Sequence, residues 1–269
     1  MSHSYLDAFT YLFKHKNWFA KLLVGSLLFF FIKLIELSIK VLGTAEIQPL
    51  NSMLGDVLSP SQYALAALMS VGGIALSLLS IWMSATLCGY FITAIRRYMR
   101  GQEDAIPDWD GVMAKLFFRG FKVFMGLFLL SILGYLFSLI VANYSVLMAA
   151  VKSLHAGLLI SVLGLFVCCY VIFLIPALIM TFCEQDKFFS MFNFVRAKQL
   201  ATKSFGQYCL TILKLLSITI LSGCCAILFF PVKIGIIVLP FIFFYLLIVY
   251  GNIIAQYYVL YCKEETKQE

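Results

Sequence analysis

Apolar residues in this chain come in long blocks, and the polar residues gather between the blocks instead of alternating with them. Six blocks stand out, at 18–41, 63–95, 117–141, 157–183, 207–230 and 234–262. Each exceeds the roughly 20 mostly apolar residues that a helix needs to cross a bilayer core about 30 Å thick. The second is longer than a bilayer requires, so its helix must tilt or continue beyond the membrane. No polar stretch is long enough to fold alone, so residues 1–269 form a single integral membrane domain. The pattern predicts an all-α, polytopic transmembrane helical bundle with six spanning helices.

Composition strengthens this reading. Hydrophobic residues make up 62% of the chain, charged residues 12%, and the mean hydropathy is +0.97. An ordinary soluble domain carries about 25% charged residues. So apolar a chain has too few polar residues to cover its own surface in water.

Charge then sets the topology. The net charge is +7, but no basic run is dense enough for a nucleic-acid patch. If the six blocks span, one side receives Lys14, Lys16, Lys21, Arg96, Arg97, Arg100, Lys115, Arg119, Lys122, Lys187, Arg196, Lys198, Lys203, Lys263 and Lys267, which is 15 of the 20 Lys and Arg. The other side receives Lys40, Lys152 and Lys233, and Lys33 and Lys214 lie within blocks. Basic residues stay on the cytoplasmic side of membrane helices, so both termini are expected in the cytoplasm. An odd number of spans would place one basic cluster outside. Gly43-Thr44-Ala45 has the small residues of a signal-peptide cleavage site, but the preceding apolar stretch contains Lys33 and Glu36, which argues against cleavage.

A threefold pattern underlies the topology. Asp7 precedes Phe9, Phe13, Lys14, Lys16 and Lys21. Asp108 and Asp110 precede Phe117, Phe118, Arg119 and Lys122. Asp186 precedes Phe188, Phe189, Phe192, Arg196, Lys198 and Lys203. Gly25, Gly126 and Gly206 then enter the spans that follow. This predicts three amphipathic interfacial helices on the cytoplasmic side, one before each pair of spans. Acids suit helix N-termini, and the aromatics would sit at the headgroup boundary. Trp18 and Trp109 are the expected interfacial anchors.

Several short motifs carry a family resemblance. They are Phe9…Lys14…Asn17-Trp18…Lys21…Gly25, Gly89-Tyr90 with Arg96-Arg97, Pro107-Asp108-Trp109-Asp110, Phe118-x-Gly120, Pro176 before a Phe-rich connection, and Ala255-Gln256-Tyr257. Together they resemble the uncharacterised prokaryotic membrane family known as domain of unknown function 4013. The resemblance extends over nearly the whole chain, and Gly-Tyr…Pro-x-Trp-Asp is its most specific part. The stretch 43–62 is longer than the first external loop the family implies. The resemblance implies the cytoplasmic membrane of a bacterium or archaeon. It implies no activity, substrate or catalytic residue.

Few residues could carry chemistry. Lys33, Glu36 and Lys40 share one face of the first span, and charges within a bilayer are rare and often functional. They mark either an ion or solute path or a self-neutralising helical pair that snorkels outward. Lys214 could join Glu36 if their helices touch. Asp108 and Asp110 are weak candidates for a divalent cation, with Glu103 or Asp104 assisting. The simpler reading is structural, with Pro107 in a first helical turn and the acids on its dipole. Ser70, Gly73, Ser77, Ser80 and Ser84 form a small-residue stripe suited to close helix packing or, alternatively, to a hydroxyl-lined pore. The fourth span has a shorter stripe, so the second and fourth spans are expected at the centre of the bundle.

The eight cysteines, Cys88, Cys168, Cys169, Cys183, Cys209, Cys224, Cys225 and Cys262, form no C-x-x-C pair and read as packing residues. No H-E-x-x-H, G-x-S-x-G or P-loop is present. The expectation is a non-enzymatic membrane scaffold, assembly factor or lipid-interacting protein without cofactor. Its expected partners are membrane lipids, other membrane proteins or a second copy of itself. A small-solute or ion transporter using the Lys33/Glu36 face is the alternative.

Overall fold

Along its described length, each apolar block falls on a helix in the computed structural model, which describes residues 5–15, 17–52, 60–102, 106–109, 113–142, 154–229 and 235–263. The long helices are α2 (Trp18–Ser52), α3 (Pro60–Met99), α4 (Met113–Ala142), α5 (Leu154–Gln185), α7 (Phe205–Phe229) and α8 (Gly235–Tyr257). Two short ones, α1 (Tyr5–Thr10) and α6 (Phe194–Lys203), lie between or before them. Single 3-10 turns occupy Leu12–Lys14 and Phe188–Phe192, and α8 continues as a π turn over Tyr258–Cys262. No strand occurs among the described residues.

Five helices carry stretches long and apolar enough to cross a membrane: 18–40 in α2, 70–99 in α3, 162–185 in α5, 205–229 in α7, and 237–262 through α8 and its π turn. α3 is 40 residues long, or about 60 Å at 1.5 Å per residue, so it does run beyond the apolar slab. Both α2 and α3 extend into the stretch that reads as a loop in the sequence. The third block lies on α4, whose first turns carry Lys115, Arg119 and Lys122.

Outward-facing apolar residues cover the long helices. Val71, Ile74 and Leu78 on α3, Leu163 and Phe166 on α5, and Leu213, Ile220 and Ile227 on α7 are all exposed. Apolar surface on this scale is what a lipid-facing bundle presents and exceeds the patches of a soluble monomer. The core forms where α8 passes its neighbours. Phe244 and Ile248 pack with Tyr90, Trp109, Leu12 and Ile32. Val249, Ile253 and Ile254 pack with Leu178, Phe182, Leu200 and Tyr208. The most apolar window of α8 is 56% buried, against 35% in α5, 22% in α3 and 11% in α7. The central helix is therefore α8. The small-residue stripes marked α3 and α5 instead, but stripe composition measures how closely a helix can be approached, not how many neighbours surround it.

Apart from Lys33, Lys40 and Lys214, the described basic residues lie at the helix ends next to α1, the 3-10 turns and α6, where side chains tie the short segments to the long ones. Tyr245 Oη donates to Phe9 O at 2.5 Å, Tyr257 Oη to Leu200 O at 2.8 Å, and Thr181 Oγ1 to Ser190 O at 2.9 Å. Asn193 caps α6 by accepting from the Arg196 N–H at 3.0 Å. Two of the three expected interfacial segments are thus helical, α1 with its 3-10 turn and the 3-10 turn with α6. The middle one differs. Phe117, Phe118, Arg119 and Lys122 belong to the continuous helix α4, and Ile106–Trp109 is not helical. α6 also turns Ala197, Leu200 and Ala201 inward onto the protein.

Candidate functional site

Lys33 and Glu36 lie one turn apart on α2, and their side chains pair at 2.7 Å, 60% and 45% exposed. With Lys40 they border a groove of about 490 Å³ that α7 closes with Ala226 and α8 with Leu239 and Phe243. Lys214 does not join them. It lies twelve residues before Ala226 on α7, roughly 18 Å along the helix axis. The four charges marked in the sequence are thus a neutralised pair, Lys40 beside the same groove, and a distant cation.

The Pro107-Asp108-Trp109 segment folds back against the bundle. Trp109 stacks on Tyr90 with ring centroids 4.1 Å apart and planes 9° apart. Its Nε1–H donates to Lys21 O at 3.2 Å. The Lys21 ammonium, only 5% exposed, pairs with Asp108 at 3.0 Å and donates to Ile106 O at 2.9 Å. Trp109 is itself 9% exposed, so it is a core residue and not an interfacial anchor. Its ring area is satisfied by Tyr90 and Phe244, and its polar edge by a backbone carbonyl. Asp108 is occupied by Lys21, and Asp110 lies outside the described residues. No group of three or more metal-ligating side chains occurs among the described residues. Trp18, half-buried, meets Phe13 and Phe19 edge to face at 4.9 and 5.7 Å.

The closest helix crossing lies beyond the small-residue stripe. A Cβ at Gly120 would sit 1.7 Å from Ala85 O and 2.4 Å from Gly89 N, and one at Gly89 would sit 1.8 Å from Leu116 O. α3 and α4 therefore touch backbone to backbone, which only glycine allows. In the stripe, a Cβ at Gly73 would meet nothing within 4 Å among the described residues. Ser70 is exposed, Ser77 donates to its own helix at Gly73 O, 2.8 Å away, and Ser80 and Ser84 are half-buried. Gly73 is not a close-packing position; the contact forms where α4 begins.

At the basic end, α3, α4 and the end of α5 surround a second cavity of about 490 Å³. Thr93, Arg96, Arg97, Arg100 and Gln102 line it from α3 and the turn that follows, Lys115 and Arg119 from α4, and Asp186 from the end of α5. The turn after α3 is a Schellman motif. Gln102 N–H donates to Arg97 O at 3.1 Å and Gly101 N–H to Tyr98 O at 2.9 Å. Gly101 takes φ +73°, a left-handed value that suits glycine. Asp186 holds φ +57°, uncommon for a residue with a side chain. Its carboxylate accepts from Arg96 and, at 3.0 and 3.3 Å, from Arg119. Arg119 also donates to Thr93 Oγ1 at 2.9 Å.

Burial pushes the Asp186 carboxyl up, but the hydrogen bonds and charges of Arg119 and Arg96 outweigh it and hold it below the ordinary value of 3.8. A depressed carboxyl adds stability above its unfolded value and loses it as pH falls through the folded one. The native protein should therefore lose stability as the pH drops below 3.8. Asp186→Asn should melt lower at about pH 7 and lose part of that acid dependence. Thermal melts of both proteins across the acid range check this; identical pH slopes would contradict it.

The sequence offered only partial signals for these sites. Arg96 and Arg119 read there as orientation charges, and Asp186 as the opening of a helix. The available signal was one acid flanked by arginines from other connections. Asn252 is an amide in the middle of an apolar block, with no sequence motif around it to mark it. It is 5% exposed. Its Oδ1 and Nδ2, like Tyr90 Oη, are buried without a side-chain hydrogen bond among the described residues, beside a cavity of about 10 Å³.

The family described as "Protein of unknown function (DUF4013)" matches residues 72–231. The chain belongs to the DUF4013 family. The match is narrower than the resemblance read from the sequence. The opening Phe9…Gly25 motif and Ala255-Gln256-Tyr257 fall outside it. Within the DUF4013 segment lie the Gly89–Gly120 crossing, the Tyr90–Trp109 stack and the cavity of Arg96, Arg119 and Asp186. Lys33 and Glu36 lie outside the segment. No curated protein and no solved structure matches the chain.

Proposed function

We propose that this DUF4013 protein is a non-enzymatic, lipid-interacting membrane protein with six spans, α4 being the sixth, and with both termini in the cytoplasm of a prokaryote. The carrying observation is a set of exposed phenylalanines, each within two residues of a Lys or Arg: Phe13, Phe19, Phe118, Phe189 and Phe205. They stand among Lys14, Lys122, Lys187 and Lys203, the mixture of apolar ring and cation that suits a headgroup boundary. The basic end then faces the cytoplasm by the charge rule. A scaffold or assembly role is compatible with the same surface.

Native mass spectrometry after mild-detergent purification tests the reading. The expected result is retained lipid or a stable protein partner. A clean monomer carrying neither would refute it. The groove beside Lys33 and Glu36 favours a second reading, a small-solute or ion path between α2, α7 and α8. Flux into reconstituted vesicles that Glu36→Gln abolishes would replace the first reading with the second.

A further inference from the structure

We propose that the cavity between α3, α4 and the end of α5 is a binding site for a phosphate-bearing anion. Among the described residues, five cations line it, Arg96, Arg97, Arg100, Lys115 and Arg119, against the single carboxylate of Asp186. Arginines on the last turn of a helix can simply complement its dipole. Three features go beyond that. The cations come from two helices and converge on one concavity. Arg96 is only 15% exposed, and its Nε is buried without a hydrogen-bond partner among the described residues. Asp186 adopts a strained backbone and grips Arg96 and Arg119 together, which fixes both guanidinium planes.

That arrangement is a positioning device. A surface arginine loses side-chain freedom when it binds, whereas Arg96 and Arg119 are already held. Planar guanidinium forks match the oxygens of a phosphate. The Thr93 hydroxyl beside Arg119 adds a further polar group. The volume of about 490 Å³ falls within the roughly 300–1,000 Å³ of small-ligand sites. Phe118 borders Arg119 in sequence and is exposed, so under the membrane reading the cavity opens level with lipid headgroups, where basic pockets between spanning helices take anionic lipids. The shared chemistry is a phosphate group, supplied either by a lipid headgroup or by a soluble phosphate compound.

The inference rests on the membrane reading for the first source only. The test uses the full chain purified in neutral detergent. Native mass spectrometry reads retention of phosphatidylglycerol against phosphatidylcholine, and calorimetry reads pyrophosphate binding. The pocket variant is Arg100→Gln/Lys115→Gln, which spares the Asp186 pairs. Its charge-matched control is Lys40→Gln/Lys198→Gln, two exposed lysines outside the cavity, and thermal melts confirm that both fold. If the double pocket variant does not fold, Arg100→Gln alone is compared with Lys198→Gln.

The expected result is a roughly tenfold or greater loss of binding in the pocket variant, from hydrogen bonds to charged groups, with the control close to the parent. Loss confined to phosphatidylglycerol identifies a lipid headgroup. Loss of pyrophosphate binding identifies a soluble phosphate. Equal binding by both variants, or no binding of either probe by the parent, overturns the proposal. Lipid retained equally by both variants, with no selective loss of pyrophosphate binding, would sink the pocket and leave the lipid-interacting reading intact. Pyrophosphate bound at the pocket, with no lipid retained, would do the reverse.

Discussion

Gly120→Val should abolish the folded protein, and Gly120→Ala should already destabilise it severely. The alanine methyl would lie 1.7 Å from Ala85 O on one side and 2.4 Å from Gly89 N on the other. Both obstacles are backbone, so no rotamer change relieves them. The helices would have to separate by roughly 1.5 Å or more to reach normal contact distances near 3.5 Å. That separation would loosen the most extensive helix pairing among the described residues, α3 against α4. Overpacking typically costs about 1–3 kcal/mol, and a clash with backbone on two sides belongs at or above the upper end. Gly73→Leu is the contrasting variant. No described atom lies within 4 Å of the added Cβ, so this variant should change stability by only about 0.5 kcal/mol, as surface substitutions do. Denaturation followed by tryptophan fluorescence, with size-exclusion chromatography in detergent, separates the two. A stable, monodisperse Gly120→Ala protein would disprove the crossing.

Trp109→Ala should be the next most damaging change, at about 3–5 kcal/mol for a buried aromatic. It removes the ring stacked 4.1 Å from Tyr90 and the donor to Lys21 O. The Ile106–Trp109 segment would lose its anchor, and the Lys21 ammonium would lose its cover. Trp109→Phe keeps a ring against Tyr90 but not the N–H, so it should cost only about 1 kcal/mol for the lost hydrogen bond, besides any packing change. Amine-reactive labelling gives a second readout. Lys21 should be protected in the native protein and labelled in Trp109→Ala. An interfacial anchor would behave differently, leaving both stability and Lys21 labelling unchanged when removed.

The two variants show where the sequence was legible. Hydropathy places the six long helices, five of which carry stretches long and apolar enough to cross a membrane, because crossing a bilayer takes about 20 consecutive apolar residues. Block boundaries were less accurate. α2 and α3 continue past the apolar residues because backbone hydrogen bonds hold a helix together whatever its side chains face. Pro107-Asp108-Trp109 was legible as a motif but not as a contact. Its partners, Lys21 and Tyr90, come from two other helices, and one-dimensional spacing carries no information about them. The stripe on α3 failed for a related reason. Ser and Gly permit close approach everywhere along it, but only a facing glycine on α4 makes the approach happen.

The sequence by itself determined the all-helical class and the long apolar blocks, and by its charge asymmetry it proposes the orientation. These are properties of single segments meeting lipid and water, so local composition suffices. Only the tertiary structure decided that α8 is the central helix, that Gly89 and Gly120 make the crossing, that Trp109 is core, and that Arg96 and Arg119 converge on Asp186. Each of these depends on which faces of distant helices meet, and that is set by the packing of the whole bundle.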